Sequence, residues 1–346
     1  MKKRLSLVLA AVLCTGLLAG CSGGSSSSGS TSSAADAGNS KKDKISISVV
    51  AGSMAENTPG GIGVKTLVEK LNEYSEGSIE ATAYYDTQLG DAKSIVQSLQ
   101  NGTIDIGVAG NSYFSSIVPE VQALELPYMF DSYDQARSIV DGEVGQELLG
   151  MFEKKDVVGL AFWEIGFRQL SNKTKEIRKV EDVKGLKMRT LTAPVQVKLW
   201  ELYGALPTAI DSSELYTSLQ QGVIDGQENP ISEIVSKRLY EVQKNVSLTA
   251  HVYTPMVLGM SKYTYDKLDD TQKEALKKAV ADATEASRNA VTQMEEEGLK
   301  TLEENDVNVI KDPDIAQFKE VGKACYSVFT EKYGDDIVNK LEEAKK

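Results

Sequence analysis

Hydrophobic and polar positions in the first third of the chain follow two periods in turn. Apolar residues alternate from Ile45, as in a strand, and then recur at helical spacing as far as Leu71. A second strand over 79–85, a helix that begins at Asp91 and a buried strand over 103–109 continue the order. Because crossovers between such strands are right-handed, we expect a parallel sheet. The predicted fold class is therefore α/β.

The same order of elements returns in the middle of the chain, together with a short repeated sequence. Leu99-Gln100-Asn101-Gly102-Thr103-Ile104-Asp105 is echoed by Leu219-Gln220-Gln221-Gly222-Val223-Ile224-Asp225. Each copy is typical of a helix that ends at glycine, where a left-handed residue costs least, followed by a strand. Two similar units predict two domains with a cleft between them. The second unit is predicted to contain strands over 186–189, 205–210 and 223–228 and helices over 194–203 and 212–221.

A long helix is predicted in the last third of the chain. Apolar residues keep helical spacing from about Asp269 to Leu302, a length of about 34 residues. We expect this helix to contact both domains. The alternative is a surface helix of one domain, since its charged stretches are typical of a solvated face.

The N-terminal segment has the pattern of an export signal. Basic residues precede an apolar run from Leu5 to Leu18, and small residues lie directly before Cys21. The alternative is a transmembrane anchor, but about 14 apolar residues are fewer than the roughly 20 that cross a bilayer. We predict a signal peptide over 1–20 and a Ser/Gly-rich tether over 21–40 that begins at Cys21.

Composition excludes several classes of function. The 346 residues, 41% of them apolar, can fill two hydrophobic cores. The formal net charge of −12 becomes −15 once the three basic residues of the leader are removed, which disfavours nucleic-acid binding. Beyond Cys21 the chain contains one cysteine, Cys325, and one histidine, His251. Triad catalysis and zinc sites need more such residues, so we expect no metal, no cofactor and a structural role for His251.

Two arginines lie where predicted strands end. Arg189 ends the strand over 186–189, and Arg168 follows a strand-like run. Ligands favour this edge of an open α/β sheet, and a guanidinium has paired donors that match a carboxylate. Either arginine alone could instead form an ordinary ion pair. Asn229 ends the matching strand, is kept extended by Pro230, and is expected beside Arg189.

Six short motifs follow one another along the chain. They are Gln88-Leu89-Gly90, Gln100-Asn101-Gly102-Thr103-Ile104-Asp105, Leu126-Pro127-Tyr128-Met129-Phe130, Gly166-Phe167-Arg168, Gly185-Leu186-Lys187-Met188-Arg189 and Asp225-Gly226-Gln227-Glu228-Asn229-Pro230. In this order they resemble the solute-binding proteins of tripartite ATP-independent periplasmic (TRAP) transporters, the branch that includes C4-dicarboxylate, sugar-acid and sialic-acid receptors. The resemblance covers nearly all of residues 45–340.

The resemblance implies a two-lobed periplasmic-binding-protein-like fold that closes over one small organic acid. Two α/β domains would be joined by hinge strands and a long connecting helix. The first domain would comprise residues 41–166 and 254–295, and the second 167–253 and 296–346.

The resemblance also implies site residues and partners. Arg189 matches the family's carboxylate-clamping arginine, Arg168 its second arginine and Asn229 its ligand-bonding asparagine. The closed receptor would dock on the membrane subunits of a sodium-coupled permease. The small residues before Cys21 resemble the lipobox of bacterial lipoproteins, which implies lipidation and an anchor on the outer face of the cytoplasmic membrane or a place in the periplasm. We expect a monomer that is not an enzyme.

The ligand is predicted from weaker features. Sialic-acid receptors often have an acidic residue at the position of Gly110, and the proline that is common soon after the clamp arginine is missing from Arg189-Thr190-Leu191. This favours a hydroxylated sugar acid, ahead of a dicarboxylate. The further candidates are Trp163 and Tyr113 as stacking surfaces and Asn57, Asn111 and Ser212 as hydroxyl partners.

Two other functions compete with a TRAP receptor. The binding protein of an ATP-driven importer shares lipidation and two lobes, although the six ordered motifs disfavour it. A lyase acting on sugar acids would use Glu228 or Glu164 as a base, but the chain offers no evident acid partner or metal cluster.

Overall fold

The computed structural model describes residues 44–191 and 193–346. The predicted signal peptide, Cys21 and the predicted tether lie outside the described residues. Within the described ranges, no helix combines the length and the apolar character that a membrane crossing requires.

The described chain forms two mixed sheets. Its strands are β1 (Ile45–Val50), β2 (Ile79–Tyr84), β3 (Ile106–Gly110), β4 (Val157–Phe167), β5 (Gln169–Asn172), β6 (Lys187–Thr190), β7 (Leu206–Ala209), β8 (Gly226–Asn229), β9 (Asn245–Ser247), β10 (Tyr253–Ser261) and β11 (Asn308–Ile310). The order is β2-β1-β3-β10-β4 in the first sheet and β11-β9-β5-β8-β6-β7 in the second. This architecture confirms the predicted α/β fold class.

Helices cover the faces of these sheets. They are α1 (Pro59–Tyr74), α2 (Ala92–Asn101), α3 (Asn111–Phe114), α4 (Tyr133–Asp141), α5 (Glu143–Met151), α6 (Val180–Val183), α7 (Pro194–Leu202), α8 (Leu215–Gln220), α9 (Ile231–Ser236), α10 (Lys262–Tyr265), α11 (Asp270–Glu304), α12 (Ile315–Gly322), α13 (Tyr326–Tyr333) and α14 (Asp336–Ala344). Apolar side chains between helices and sheets form the buried core.

The predicted parallel crossovers are confirmed in both sheets. β1 pairs in parallel with β2 and β3, and β6 pairs in parallel with β7 and β8. The antiparallel position of β10, between β3 and β4, could not be read from local periodicity. A strand from late in the chain therefore completes the first sheet.

The repeated sequence has the same backbone structure in both copies. Gly102 and Gly222 end α2 and α8 with φ angles of 73° and 71°, in the left-handed region that glycine adopts most easily. The strands that follow, β3 and β8, begin later than predicted in both copies.

An aspartate precedes each of these two strands. Asp105 accepts the backbone N–H of Ser48 at 2.8 Å, and Asp225 accepts the backbone N–H of Lys187 at 2.9 Å. In each copy the carboxylate therefore takes a donor from the neighbouring strand.

The long helix is confirmed, and it contacts elements beside both sheets. α11 has 35 residues and begins after Asp269, whose side chain accepts the backbone N–H of Gln272 at 2.8 Å. The helix packs against α1 next to the first sheet and against α9 next to the second. It is therefore not a surface helix of one domain.

The chain crosses between the sheets at two adjacent places. β4 leads into β5 through Arg168, and the return path leads from β9 to β10. The N–H of Arg168 donates to the carbonyl of Val252 at 2.8 Å, and its carbonyl accepts the N–H of His251 at 3.3 Å. These hydrogen bonds tie the two crossings together. Gly166, with a φ of 126°, turns the chain just before the first crossing.

The C-terminal helices contact elements of both predicted domains. The hydroxyl of Tyr326 donates to the carbonyl of Pro127 at 3.0 Å, and Lys340 forms an ion pair with Glu147 at 2.8 Å. α13 also packs against α7. Residues 296–346, predicted to belong to the second domain, therefore also contact the first.

Candidate functional site

Arg189 is a buried cation with unpaired donors. It lies on β6, next to β8, and is 2% exposed. Its Nε donates to the carbonyl of Ile210 at 2.8 Å, whereas Nη1 and Nη2 have no hydrogen-bond partner among the described residues. Burial lowers the pKa of this guanidinium, and the nearby charge of Glu228 opposes that shift. The free edge of the fork is suited to a carboxylate.

Arg168, in contrast, is paired within the protein. Its Nε and Nη2 bind the fully buried carboxylate of Glu228, and Nη2 also donates to the Glu228 carbonyl at 2.6 Å and to Asn229 Oδ1 at 3.0 Å. Nη1 donates to Thr254 Oγ1 at 3.4 Å. Most of its donors therefore hold β8 and β10 to the crossing.

Glu228 is also bound by the histidine of the chain, His251. Burial favours the neutral carboxyl, but the charge of Arg168 and the hydrogen bonds from His251 and Arg168 lower the pKa of Glu228 to about 2. Burial lowers the pKa of His251, so the ring is neutral near pH 7. Its Nε2 lies 3.3 Å from the carboxylate and donates, and Nδ1 accepts from Thr249 Oγ1 at 2.8 Å. This arrangement agrees with the structural role predicted for His251.

Asn229 lies at the end of β8, as predicted, but its partners differ from the prediction. Its Oδ1 accepts from Arg168, and its Nδ2 donates to Gln227 Oε1. No hydrogen bond between described residues joins it to Arg189. The amide oxygen is instead bound by Arg168, which pairs with the neighbouring Glu228 on the same strand.

A second buried carboxyl, Glu125, was missed by the sequence analysis. It is 6% exposed, and its Oε2 accepts from Asn111 Nδ2 at 2.9 Å. Its Oε1 has no hydrogen-bond partner among the described residues. Loss of hydration raises the pKa of Glu125 to about 7, although the Asn111 hydrogen bond lowers it. An acidic residue between Leu124 and Leu126 was the available signal.

Asn111 contributes to this buried group rather than to an exposed wall. It is fully buried, and its Nδ2 also donates to the carbonyl of Val121 at 2.8 Å. Gln196, on α7, approaches the same group and donates to the carbonyl of Glu125 at 3.4 Å. Both donor hydrogens of Asn111 are therefore used within the protein.

Trp163 does not offer the expected stacking surface. It is fully buried in the core beside the first sheet, and its Nε1 donates to Thr284 Oγ1 at 2.9 Å on α11. Side chains alternate between the two faces of a strand, and that of Trp163 points from β4 towards the helix layer rather than towards the strand ends.

Tyr113 is the predicted aromatic residue that does remain accessible, since it is 36% exposed. It lies on α3 near the charges of Arg189, Asp211 and Asp91. Ser212 Oγ is held by Lys237 Nζ at 2.7 Å, and Asn57 is exposed in the turn before α1. A cavity of about 420 Å³ is lined by residues of α3, the first turn of α7 and α13, and none of the predicted site residues is among the residues that line it.

The two glutamates considered as bases are both engaged. Glu228 is paired with Arg168, and the fully buried Glu164 accepts from Arg137 and, at 2.8 Å, from the Tyr253 hydroxyl. Within residues 44–191 and 193–346, no three His, Cys, Asp or Glu side chains are grouped to hold a metal ion. Neither of these two glutamates is therefore free to act as a base, and the free donors of Arg189 suit binding of an anion.

Comparison with known proteins agrees with this geometry. The model of the family described as bacterial extracellular solute-binding protein, family 7, matches residues 50–332. The sialic acid-binding periplasmic protein SiaP of Vibrio cholerae is 32% identical over 299 residues, which cover 86% of this chain and 91% of SiaP.

Two solved structures show the same fold. The sugar acid binding protein DctPAm of Advenella mimigardefordensis, in complex with galactonate, has a TM-score of 0.81 and 30% identity, over 88% of this chain and 98% of that one. A TRAP periplasmic solute binding protein of Sulfurospirillum deleyianum with bound succinate has a TM-score of 0.78 and 30% identity, over 86% and 98%.

These matches are transport receptors, so neither the lyase nor the ATP-driven importer describes this protein. The six ordered motifs, the two sheets joined at Arg168 and the buried, unpaired guanidinium of Arg189 agree with that assignment. The chain belongs to bacterial extracellular solute-binding protein family 7, the solute receptors of TRAP transporters.

Proposed function

We propose that this receptor binds a small organic acid by its carboxylate at the free Nη1 and Nη2 edge of Arg189. The observation that carries the proposal is a guanidinium 2% exposed whose outer nitrogens have no partner among the described residues. Removing a cation from water is costly unless an anion compensates it. A ligand carboxylate would provide that charge and two parallel hydrogen bonds.

Arg168 and Asn229 act in this proposal as positioning residues. The buried group of Arg168, Glu228 and His251 fixes β8 against the crossing, and β8 is the neighbour of β6. Arg189 would therefore be held in one orientation before the ligand arrives, which reduces the entropic cost of binding. Tyr113 would contact the ligand from the side of the first sheet.

Transport follows if ligand binding favours closure of the two lobes. The proposed hinge lies at the two crossings, near the predicted domain boundaries at 166/167 and 253/254. In an open receptor the unpaired Arg189 would disfavour closure, and a bound carboxylate would remove that cost. The closed form would then be recognised by the membrane subunits of a sodium-coupled permease.

We also propose that the exported receptor is anchored by lipid on Cys21. The support is the sequence alone: a short apolar leader, small residues directly before the cysteine and a Ser/Gly-rich segment after it. Two or more acyl chains hold a protein firmly at a membrane. A tether would raise the receptor's effective concentration near its permease.

The experiment that tests the binding site compares Arg189→Met with Arg178→Met, an exposed arginine paired with Glu176 and Asp312. Calorimetric titration with galactonate, glucuronate and succinate identifies the acid that binds wild type. Arg189→Met is expected to weaken it by at least about 30-fold, since truncating one member of a buried charge pair costs about 2 kcal/mol or more.

The control variant should keep wild-type affinity. Ligand-free Arg189→Met should unfold at or above the wild-type urea midpoint, because the substitution removes an uncompensated buried charge. Tight binding by Arg189→Met, within twofold of wild type, would remove this residue from the site.

A further inference from the structure

The ligand end that lies away from Arg189 meets an acidic environment. The carbonyl that holds Arg189 Nε belongs to Ile210, so the next residue, Asp211, lies directly beside the clamp. The negative charge of Asp211 acts on both Arg189 and Tyr113, and the charge of Asp91 acts on Tyr113 from the first sheet. Tyr113 therefore lies within reach of the charges of two carboxylates on different elements, Asp211 just after β7 and Asp91 at the start of α2.

The orientation of Asp211 is fixed, and one of its oxygens is unused. Oδ1 accepts the backbone N–H of Ser213 at 2.9 Å and its hydroxyl at 2.8 Å. For Oδ2 the described residues supply no hydrogen-bond donor. Because a carboxylate oxygen only accepts, Oδ2 can pair with a hydroxyl of a ligand but repels a second carboxylate.

The positive charges near this end are already compensated. Arg168 is paired with Glu228, and Lys237, which also acts on Asp211, forms an ion pair with Glu233 at 2.9 Å. Of these three cations, Arg189 is therefore the one without an ion pair among the described residues. A ligand with two carboxylates would leave one of them without a cation and close to Asp211.

We propose that Asp211 and Asp91 restrict this receptor to acids with one carboxylate and a hydroxylated, uncharged far end, against diacids of the same length. The inference rests on the proposed clamp at Arg189 and adds the class of ligand. Both classes of ligand occur with this fold, because one similar solved structure holds galactonate and another holds succinate.

The size of the effect depends on closure. In an open, hydrated cleft, exposed carboxylates are screened over about 8 Å by physiological salt. Closure excludes water, and like charges brought together at an interface are strongly disfavoured. We expect the monoacid to bind at least about tenfold more tightly than the matching diacid.

The test uses pairs that differ only at the far carbon: galactonate against galactarate, and gluconate against glucarate. Affinities are measured by calorimetry for wild type, Asp211→Asn and Asp91→Asn. Asparagine at 211 can still accept from Ser213. The control is Asp134→Asn, an exposed residue on α4 that changes the net charge equally.

Asp211→Asn should reduce the monoacid preference by about threefold or more, through tighter binding of the diacid, and Asp91→Asn should act in the same direction. Asp134→Asn should leave the preference unchanged. Equal wild-type affinity for both members of a pair, preferential binding of succinate, or an unchanged preference in Asp211→Asn would overturn the inference but leave the clamp intact. Binding of none of these acids would refute the clamp itself.

Discussion

Replacement of Glu125 by glutamine tests the buried carboxyl that sequence reasoning missed. Glu125 is 6% exposed, and its Oε1 has no partner among the described residues. Glutamine has nearly the same shape, keeps an oxygen that can accept from Asn111, and cannot ionise. The variant therefore removes the titration of one group and leaves the packing in place.

The magnitude follows from the pKa. Burial raises the pKa of Glu125 from 4.5 to about 7. A difference of about 2.5 units corresponds to roughly 3 kcal/mol, at about 1.4 kcal/mol per unit. Because the folded pKa is the higher one, this stabilisation is fully present below about pH 4.5 and is lost as the pH rises through about 7. The glutamine variant has no such loss.

Urea unfolding of the ligand-free protein at a series of pH values measures the effect. The free energy of unfolding of Glu125→Gln minus that of wild type should rise by roughly 3 kcal/mol between about pH 4.5 and pH 8. Both proteins contain the same other titratable groups, such as His251, so the contributions of those groups cancel in this difference. Glu120→Gln, in the same turn, is the control and should give a flat difference. Fluorescence and circular dichroism transitions must coincide for this comparison to hold.

A flat difference for Glu125→Gln as well would mean that the carboxyl titrates normally in the folded protein. The burial argument would then be wrong, and water or a rearranged side chain would have to solvate Oε1.

Two other substitutions test separate parts of the structure. Glu228→Gln should lower the free energy of unfolding by about 3 to 5 kcal/mol, because Arg168 loses its buried partner. Loss of the exposed pair in Glu176→Gln should cost at most about 1 kcal/mol, and similar losses in both variants would contradict the burial argument. Cys21→Ala should release the protein from the membrane fraction or block its maturation, whereas Cys14→Ala should not; continued membrane retention of Cys21→Ala would exclude lipid at this residue.

Local sequence signals predicted most of the elements. The alternation at Ile45, the capping aspartates Asp91 and Asp269, and the glycine stops at Gly102 and Gly222 each act within a few residues. Such features are fixed by backbone sterics and local hydrogen bonds, and a sequence displays them directly. The α/β class and the long helix could therefore be predicted.

Features that depend on distant residues could not be predicted in the same way. The insertion of β10 between β3 and β4 joins segments that lie far apart along the chain, since Met256 pairs with both Gly110 and Trp163. Whether Trp163 faces the core or the cleft depends on which side of β4 receives α11. The burial of Asn111 could not be predicted either, because its partner Glu125 lies in a turn without a strong periodic signal.

The two arginines show how far a motif predicts a role. Both follow strand-like segments, and both are 2% exposed. The distinction between them is made by Glu228, which lies one residue before Asn229 on β8 and reaches the crossing at Arg168. The spacing of residues along one strand does not show which charged residue of another strand will pair with them. The spacing thus identified both residues, and the resemblance assigned the clamp to Arg189, but neither predicted the pairing of Arg168 with Glu228.

The residues that hold the fold together at the crossing, such as Arg168, differ from those proposed to recognise the ligand. Arg168 lies where the chain passes between the sheets, so its pairing with Glu228 fixes the crossing whatever ligand is bound. Arg189 and Asp211 lie instead at the outer strands β6 and β7 of the second sheet, where a side chain can change without breaking the crossing. In the proposed site, single substitutions near Asp211 would change the selection for the ligand's far end and leave the carboxylate clamp and the fold unchanged. Such a separation would allow one architecture to bind different acids, and the similar proteins described with sialic acid, galactonate and succinate differ in their ligands in this way.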